Sequence, residues 1–220
     1  MKIEDNKEYI ELINSHHDNL KESMKVVNFL KVSESRLEMT EKLEHIFKYS
    51  EINIKYFSFL TSSFLDLLCT LKGLFNSESE WEDIYYSKSG FLTIYETINT
   101  YHFHQKEIKK IVDNDHPNLL DDYKKLNSFL KEYKSKYNHK TEIGPIRNKT
   151  AGHFDKNFTE YYELVKKLNK TDSIKAIESF LNFLKLLMYF INTMADLMKV
   201  RTEIDLDKSK REFYKNQNNG

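Results

Sequence analysis

Apolar residues recur along most of the chain at spacings of three and four, which is the period of one face of an α-helix. No clear run alternates apolar and polar residues between turn signals, as β-strands do. The pattern therefore predicts an all-α fold, a helical bundle of about five to seven helices. Helices are expected over about residues 5–31, 34–75, 91–113 and 118–137, and a last long helix follows.

The second of these helices is apolar on nearly all sides from Tyr56 to Phe75, which is typical of a helix at the centre of a bundle. Cys69 lies in this run and is predicted to be a core residue, with a reactive thiol as the alternative. The polar stretches NSESEWED and YYSKSG follow it. They predict a connection in which Gly90 is a loop residue.

The last long helix carries one continuous apolar seam, which predicts a packing surface. We expect the seam to pack inside the bundle, and contact with a second subunit is the alternative. The segment after residue 204 has little to bury, so one domain over residues 1–204 and a charged, frayed tail over 205–220 are predicted. The seam consists of Ile177, Leu181, Leu184, Met188, Ile191, Ala195 and Met198.

The charge of the chain is balanced, with 34 basic and 34 acidic residues. There is accordingly no overall field that would gather nucleic acid or anionic membrane, and a polyanion would need a local patch. The single cysteine excludes an internal disulfide framework and suits a reducing compartment. The N-terminus is acidic where a signal peptide would be apolar, and the longest apolar stretch is shorter than a membrane span. A cytoplasmic protein with no membrane contact is expected.

The eight histidines are not spaced as metal ligands. No Glu-x-x-His pair occurs, and His102 and His104 lie two residues apart, on different faces of a helix. One cysteine is too few for a cysteine-rich structural zinc site. Neither a P-loop nor a dinucleotide-binding fingerprint is found. The sequence therefore predicts no metal and no cofactor.

The segment GPIRNKTAGHFD, residues 144–155, differs in composition from the rest of the chain. It concentrates small residues in a chain that has only three alanines, five glycines and two prolines. Pro145 is tolerated in the first turn of a helix and predicts a helix start here. Arg147 and Asn148 would then lie where free backbone N–H groups and the helix dipole favour an anion.

His153 follows Arg147 by six positions, which places the two residues about 120° apart around a helix and about 9 Å apart along it. They converge only if the arginine reaches round, or if a two-fold axis brings a second copy of the motif close. Ala151 and Gly152 favour the second arrangement, because small residues let another backbone approach. A homodimer with facing motifs is predicted.

The pattern Arg147-Asn148-x4-His153 resembles the signature of the HEPN superfamily, in which an arginine and a histidine four to six residues apart lie on a helix of an α-bundle. The stretch RNKTAGHFD is particularly similar to the corresponding segment of HEPN proteins of bacterial abortive-infection and toxin–antitoxin type. The resemblance is close over this segment and loose over the all-helical remainder.

The resemblance implies a metal-independent endoribonuclease that cleaves RNA through its own 2′-hydroxyl. His153 would be the general acid or base, Arg147 would stabilise the charge on phosphorus, and Asn148 would orient either group. The alternative is that Arg147 pairs with an acidic neighbour and His153 is a structural histidine. HEPN-like folds also include non-catalytic modules, so binding of a partner protein, such as an antitoxin, or of a nucleotide is the second interpretation.

Lysines near the motif are candidates for nucleic-acid binding, namely Lys136, Lys140 and Lys149. Between positions 124 and 140 the sequence has six lysines and only one acid, Glu132, and tyrosines lie between the lysines. Such tyrosines offer surfaces on which bases can stack. The alternative is a solvated helix face whose lysines keep the protein in solution.

Asp66 interrupts an apolar helix, and a carboxylate in such a setting is usually paired or functional. HEPN proteins often carry an acidic residue on an earlier helix near the arginine and histidine, and Asp66 is the candidate for it. The alternative is that its side chain points outward.

Overall fold

The computed structural model describes residues 6–34, 41–150 and 158–218, and these ranges are helical with short connections. No β-strand occurs in them, so the predicted all-α fold is confirmed. A 3₁₀ turn at Pro117–Leu119 precedes α4, and a π-helical turn at His139–Ile143 precedes α5. The helices are α1 Asn6–Glu34, α2 Glu41–Asn76, α3 Glu80–Asp115, α4 Leu120–Lys136, α5 Gly144–Thr150, α6 Phe158–Val165 and α7 Lys170–Asn218.

The core of the bundle is built around α2, which packs against α1, α3 and α7. Leu60, Phe64 and Leu67 on α2 are fully buried. The prediction that Cys69 is a core residue is wrong, because its side chain is exposed. An exposed stripe runs along α2, with residues at spacings of four and three: Ser62, Asp66 and Cys69. It is difficult to recognise in the sequence because most of the residues around it are apolar.

The third helix begins earlier than predicted because Ser79 and Glu82 form a capping box. The Ser79 hydroxyl accepts the backbone N–H of Glu82, and the Glu82 carboxylate accepts the N–H of Ser79. Gly90, predicted in a loop, is buried in the middle of α3. A Cβ built on it would lie 2.6 Å from Cδ1 of Ile177 on α7, so the glycine permits a close helix contact.

The seam of α7 packs within this chain over most of its length, because Ile177, Leu184 and Ile191 are buried in the common core. The helical backbone continues through Asn218, without a break at residue 205. The predicted single domain and the fraying of the last residues stay predictions.

One stretch of α2, Asn53–Asn76, is long and apolar enough to cross a membrane by length and composition. Of its most apolar window, 56% is buried among other helices, as in the core helix of a bundle. The stretch is therefore weak support for a membrane span.

The chain turns between α4 and α5 at Asn138, whose φ of 46° and ψ of 46° are left-handed. Asparagine tolerates this conformation better than most residues. The Asn138 carbonyl accepts the N–H groups of Thr141 and Glu142, and the π-helical turn leads directly into α5. This turn places His139 inside the fold.

Candidate functional site

The short helix α5 holds Arg147 at the surface, next to α3 and α6. Ile146, one position earlier, is buried in the core and anchors the helix. Arg147 is half-buried and Asn148 is exposed as a result. The predicted helix start at Gly144 agrees with the structure.

The guanidinium of Arg147 is held by three neighbours. Its Nε donates to Oε1 of Glu96 at 2.8 Å, and its Cζ lies 5.5 Å from the ring centre of Tyr95. Its Nη1 donates to Oδ1 of Asn148 at 3.3 Å. The hydrogen bond and charge of Glu96 raise the pKa of Arg147, so the side chain stays a cation, and its Nη2 has no hydrogen-bond partner among the described residues and is left for an anion. Arg147 is thus paired with an acidic neighbour, as the alternative interpretation predicted.

The start of α5 is less open to an anion than the sequence predicts. The N–H of Gly144 donates to the carbonyl of His139, because the π-helical turn runs into α5 without a gap. The N–H of Gly144, which would be free to bind an anion at the start of an isolated helix, is therefore already hydrogen-bonded. Charged side chains, more than backbone N–H groups, make this region suitable for an anion.

His139 is the buried histidine of this region, with 6% of its surface exposed. Its ring stacks on Tyr95 with centroids 5.3 Å apart and an interplanar angle of 3°. Its Nε2 has no hydrogen-bond partner among the described residues. Burial, followed by the nearby Lys134 and His102, lowers the pKa of His139 to about 4, so the ring is neutral at pH 7.

A network of side chains between α3 and α4 holds Lys134. The Lys134 ammonium lies 3.1 Å from Nε2 of His102, and Nδ1 of His102 lies 3.0 Å from Oε1 of Gln105. An ammonium can only donate, so Nε2 is the acceptor and Nδ1 carries the hydrogen. Gln105 donates in turn to Asn127, whose amide oxygen also accepts from the hydroxyl of Tyr101. The network defines the tautomer of His102 and orients Lys134.

The three predicted nucleic-acid-binding lysines have different surroundings. Lys140 is exposed. The pKa of Lys134 is lowered first by its own burial and then by the charge of Lys140, so the two lysines are neighbours. The Lys136 ammonium lies 5.2 Å from the ring centre of Tyr137. Lys149 forms an ion pair with Glu160 of α6. Lys140 therefore belongs to the group around Lys134, and Lys149 helps to join α5 to α6.

The carboxylate beside Arg147 in the described part of the chain is Glu96, and Asp66 does not take this place. Asp66 lies on the exposed stripe of α2, where partial burial raises the pKa of its carboxyl. Sequence reasoning missed Glu96 because 51 positions separate it from Arg147 and no local pattern links them.

The other half of the motif, His153 with Ala151 and Gly152, lies outside the described residues. The convergence of His153 with Arg147 stays a prediction.

A cavity of about 380 Å³ lies between the π-helical turn, α5 and the start of α7. Its lining is mixed, with apolar residues such as Phe91, the acids Glu142 and Asp172, and one lysine, Lys167. Because the two acids outnumber the lysine, the cavity is less suitable for a phosphate than the surface around Lys134. In the described ranges no three His, Cys, Asp or Glu side chains lie together in a group able to hold a metal ion.

No protein-family model matches the chain, and neither curated proteins nor solved structures gave a match. The resemblance to the HEPN superfamily therefore depends on the motif at Arg147 and on the all-helical fold.

Proposed function

We propose that this protein is a cytoplasmic, metal-independent endoribonuclease of HEPN type, acting as a homodimer in phage defence or as part of a toxin–antitoxin pair. The observation that supports the proposal best is the fixed guanidinium of Arg147, held by Glu96 and Tyr95. Lys134 and Lys140 lie in the same region, and neither forms an ion pair within the described ranges. A cationic surface of this kind favours a polyanion.

The reaction would use the substrate's own 2′-hydroxyl. Its oxygen attacks the adjacent phosphorus while a base takes the proton, and the bond to the 5′-oxygen breaks as an acid protonates that oxygen. The products are a 2′,3′-cyclic phosphate and a 5′-hydroxyl. His153 would supply the acid or the base, and in a two-fold dimer a second His153 would supply the other. Arg147 would stabilise the charge on the phosphorane with its terminal nitrogens, and Asn148 would orient it.

The test is cleavage of a mixed RNA substrate in the presence of EDTA. We expect His153→Ala to lose about 10²–10⁴-fold in rate with little change in RNA binding or Tm. Arg147→Lys keeps the charge but loses the planar fork, so it should still bind RNA weakly and cleave poorly. His17→Ala, at an exposed position on α1, is the control and should behave like the parent.

Two results would contradict this function. One is a His153→Ala variant that cleaves as fast as the parent. The other is cleavage that stops in EDTA and returns with a divalent ion, because Arg147 is proposed to supply the charge that a metal ion supplies elsewhere.

The second candidate is a non-catalytic module that binds a partner protein or a nucleotide. The cavity beside the π-helical turn favours it, since a mixed lining suits a ligand with both apolar and polar groups. In this case no RNA is cleaved. Arg147→Lys weakens association with the partner, and His153→Ala has an effect only if it touches the ligand.

A further inference from the structure

Lys134 differs from Lys124 and Lys125 of the same helix in the group to which its ammonium is bonded. Lys124 and Lys125 pair with Asp121 and Asp122 at 3.2 and 3.1 Å. Lys134 instead donates to the imidazole of His102, which leaves its positive charge uncompensated. The chain from His102 through Gln105 to Asn127 orients the ammonium without neutralising it.

The surroundings of Lys134 add positive charge. The charge of Lys140 is close enough to lower the pKa of Lys134. The charge of Lys134 in turn is close enough to lower the pKa of His139. Tyr95 connects this group to the proposed reaction site, because its ring contacts both His139 and Arg147.

Two carboxylates of this region are engaged with other groups. Glu96 accepts from Arg147, and Glu142 accepts from the side-chain amide of Asn138 at 2.9 Å. Lys134, which is half-buried, and Lys140, which is exposed, are therefore two cations without a paired acid in the described part of the chain. A phosphate is the anion that such a group of donors would recognise.

We propose that Lys134 and Lys140 form a phosphate-binding subsite for the backbone of single-stranded RNA, next to the Arg147 site. His102 is a positioning residue, since it acts through Lys134. The ammonium of Lys134 retains two N–H groups after its bond to His102, and these would donate to the phosphate oxygens. The choice of RNA as the polyanion rests on the proposed function.

The test measures binding of a short fluorescein-labelled oligouridylate by anisotropy across a salt series. The background is the full-length His153→Ala variant in EDTA, so that the probe stays intact. A plot of the logarithm of the binding constant against the logarithm of the salt concentration has a negative slope. Loss of one phosphate contact makes this slope less steep by about 0.7 for a single strand. We expect Lys134→Gln to show this change and to weaken binding several-fold at low salt.

Two further variants separate charge from position. His102→Ala should weaken binding but keep the slope, because Lys134 retains its charge. Lys125→Gln, on the same helix but paired with Asp122, is the matched control and should change neither quantity. Lys140→Gln should make the slope less steep, like Lys134→Gln, and it lies at an exposed position where folding is not at risk.

The subsite is overturned if Lys134→Gln and Lys140→Gln keep the parental slope, if Lys125→Gln makes it less steep to the same extent, or if the background variant does not bind the probe. Its failure is distinguishable from failure of the proposed function. A parent that cleaves RNA with no dependence on Lys134 retains the function and loses the subsite. A parent that never cleaves, but binds with a slope that depends on Lys134, retains the subsite alone.

Discussion

At the scale of single residues, the ring of Tyr95 joins the two parts of the candidate site. Its contacts with His139 and Arg147 bring the π-helical turn and α5 onto the same stretch of α3. Glu96, the next residue, then holds the guanidinium. Two adjacent residues on one helix thus position a cation that lies about fifty positions later in the chain.

His139 predicts a specific loss of stability in acid. Its folded pKa of about 4 is below the ordinary value of 6.5, so the unfolded chain takes up the proton first. The contribution of His139 to the free energy of unfolding is fully present above pH 6.5 and is lost as the pH falls toward 4. The loss amounts to roughly 3 kcal/mol. His139→Phe keeps an aromatic ring against Tyr95 and removes the titration.

Urea unfolding at pH 7 and pH 4 should therefore show a larger decrease in the free energy of unfolding for the parent than for His139→Phe. His16 and His104, whose pKa values are also lowered by burial, are present in both proteins and cancel in the comparison. Equal decreases in the two proteins would show that His139 is not a buried neutral histidine.

At the scale of helices, the contact of α3 with α7 depends on one missing side chain. Gly90 lies inside α3, and Cδ1 and Cγ1 of Ile177 and Cγ2 of Thr70 surround the place where a Cβ would be. Glycine is unfavourable in a helix interior, so the close contact, and not local preference, explains its presence.

Gly90→Ala is expected to destabilise the protein despite the better helix propensity of alanine. Overpacking typically costs about 1–3 kcal/mol, against a gain of about 1 kcal/mol from propensity. Ile177→Val removes the nearest atom and costs about 0.5–1.5 kcal/mol alone. In a double-mutant cycle measured by denaturant unfolding, the two changes should together cost less than their sum. Additive costs would mean that Ile177 does not oppose a side chain at position 90.

At the scale of the whole molecule, the bundle presents the Arg147 site at its surface, where a second copy of the chain can approach it. The small residues Ala151 and Gly152 predict that approach from the sequence. The buried seam of α7 argues that this long helix is used inside the chain, so the motif segment is the better candidate for the dimer contact.

We expect a two-fold dimer at micromolar concentration, with the motifs of the two copies facing each other. Gly152→Leu should shift the mass measured by light scattering toward the monomer, because a bulky side chain prevents close approach. Ser62→Leu, at an exposed position of α2, is the control and should leave the mass unchanged. A parent that is monomeric, or a dimer with the motifs on its outer surfaces, would refute this assembly.

The amino-acid sequence by itself determined the all-α class and the approximate position of α4, because helical periodicity and proline are local signals. It also led to Arg147 and Asn148 at the start of a helix, since Gly144-Pro145 is a local signal too. The exposure of Cys69 and the burial of Gly90 could not be predicted in this way. Both depend on which face of a helix meets its neighbours.

Only the tertiary structure decided which side chains surround the motif. Glu96 reaches Arg147 across 51 positions, and Lys134 reaches His102 across 32. Neither contact leaves a pattern in the sequence, because the packing of α3 against α4, the π-helical turn and α5 brings the pairs together. Burial of His139 has the same origin: the turn after Asn138 places its ring against Tyr95, and removal from water keeps it neutral.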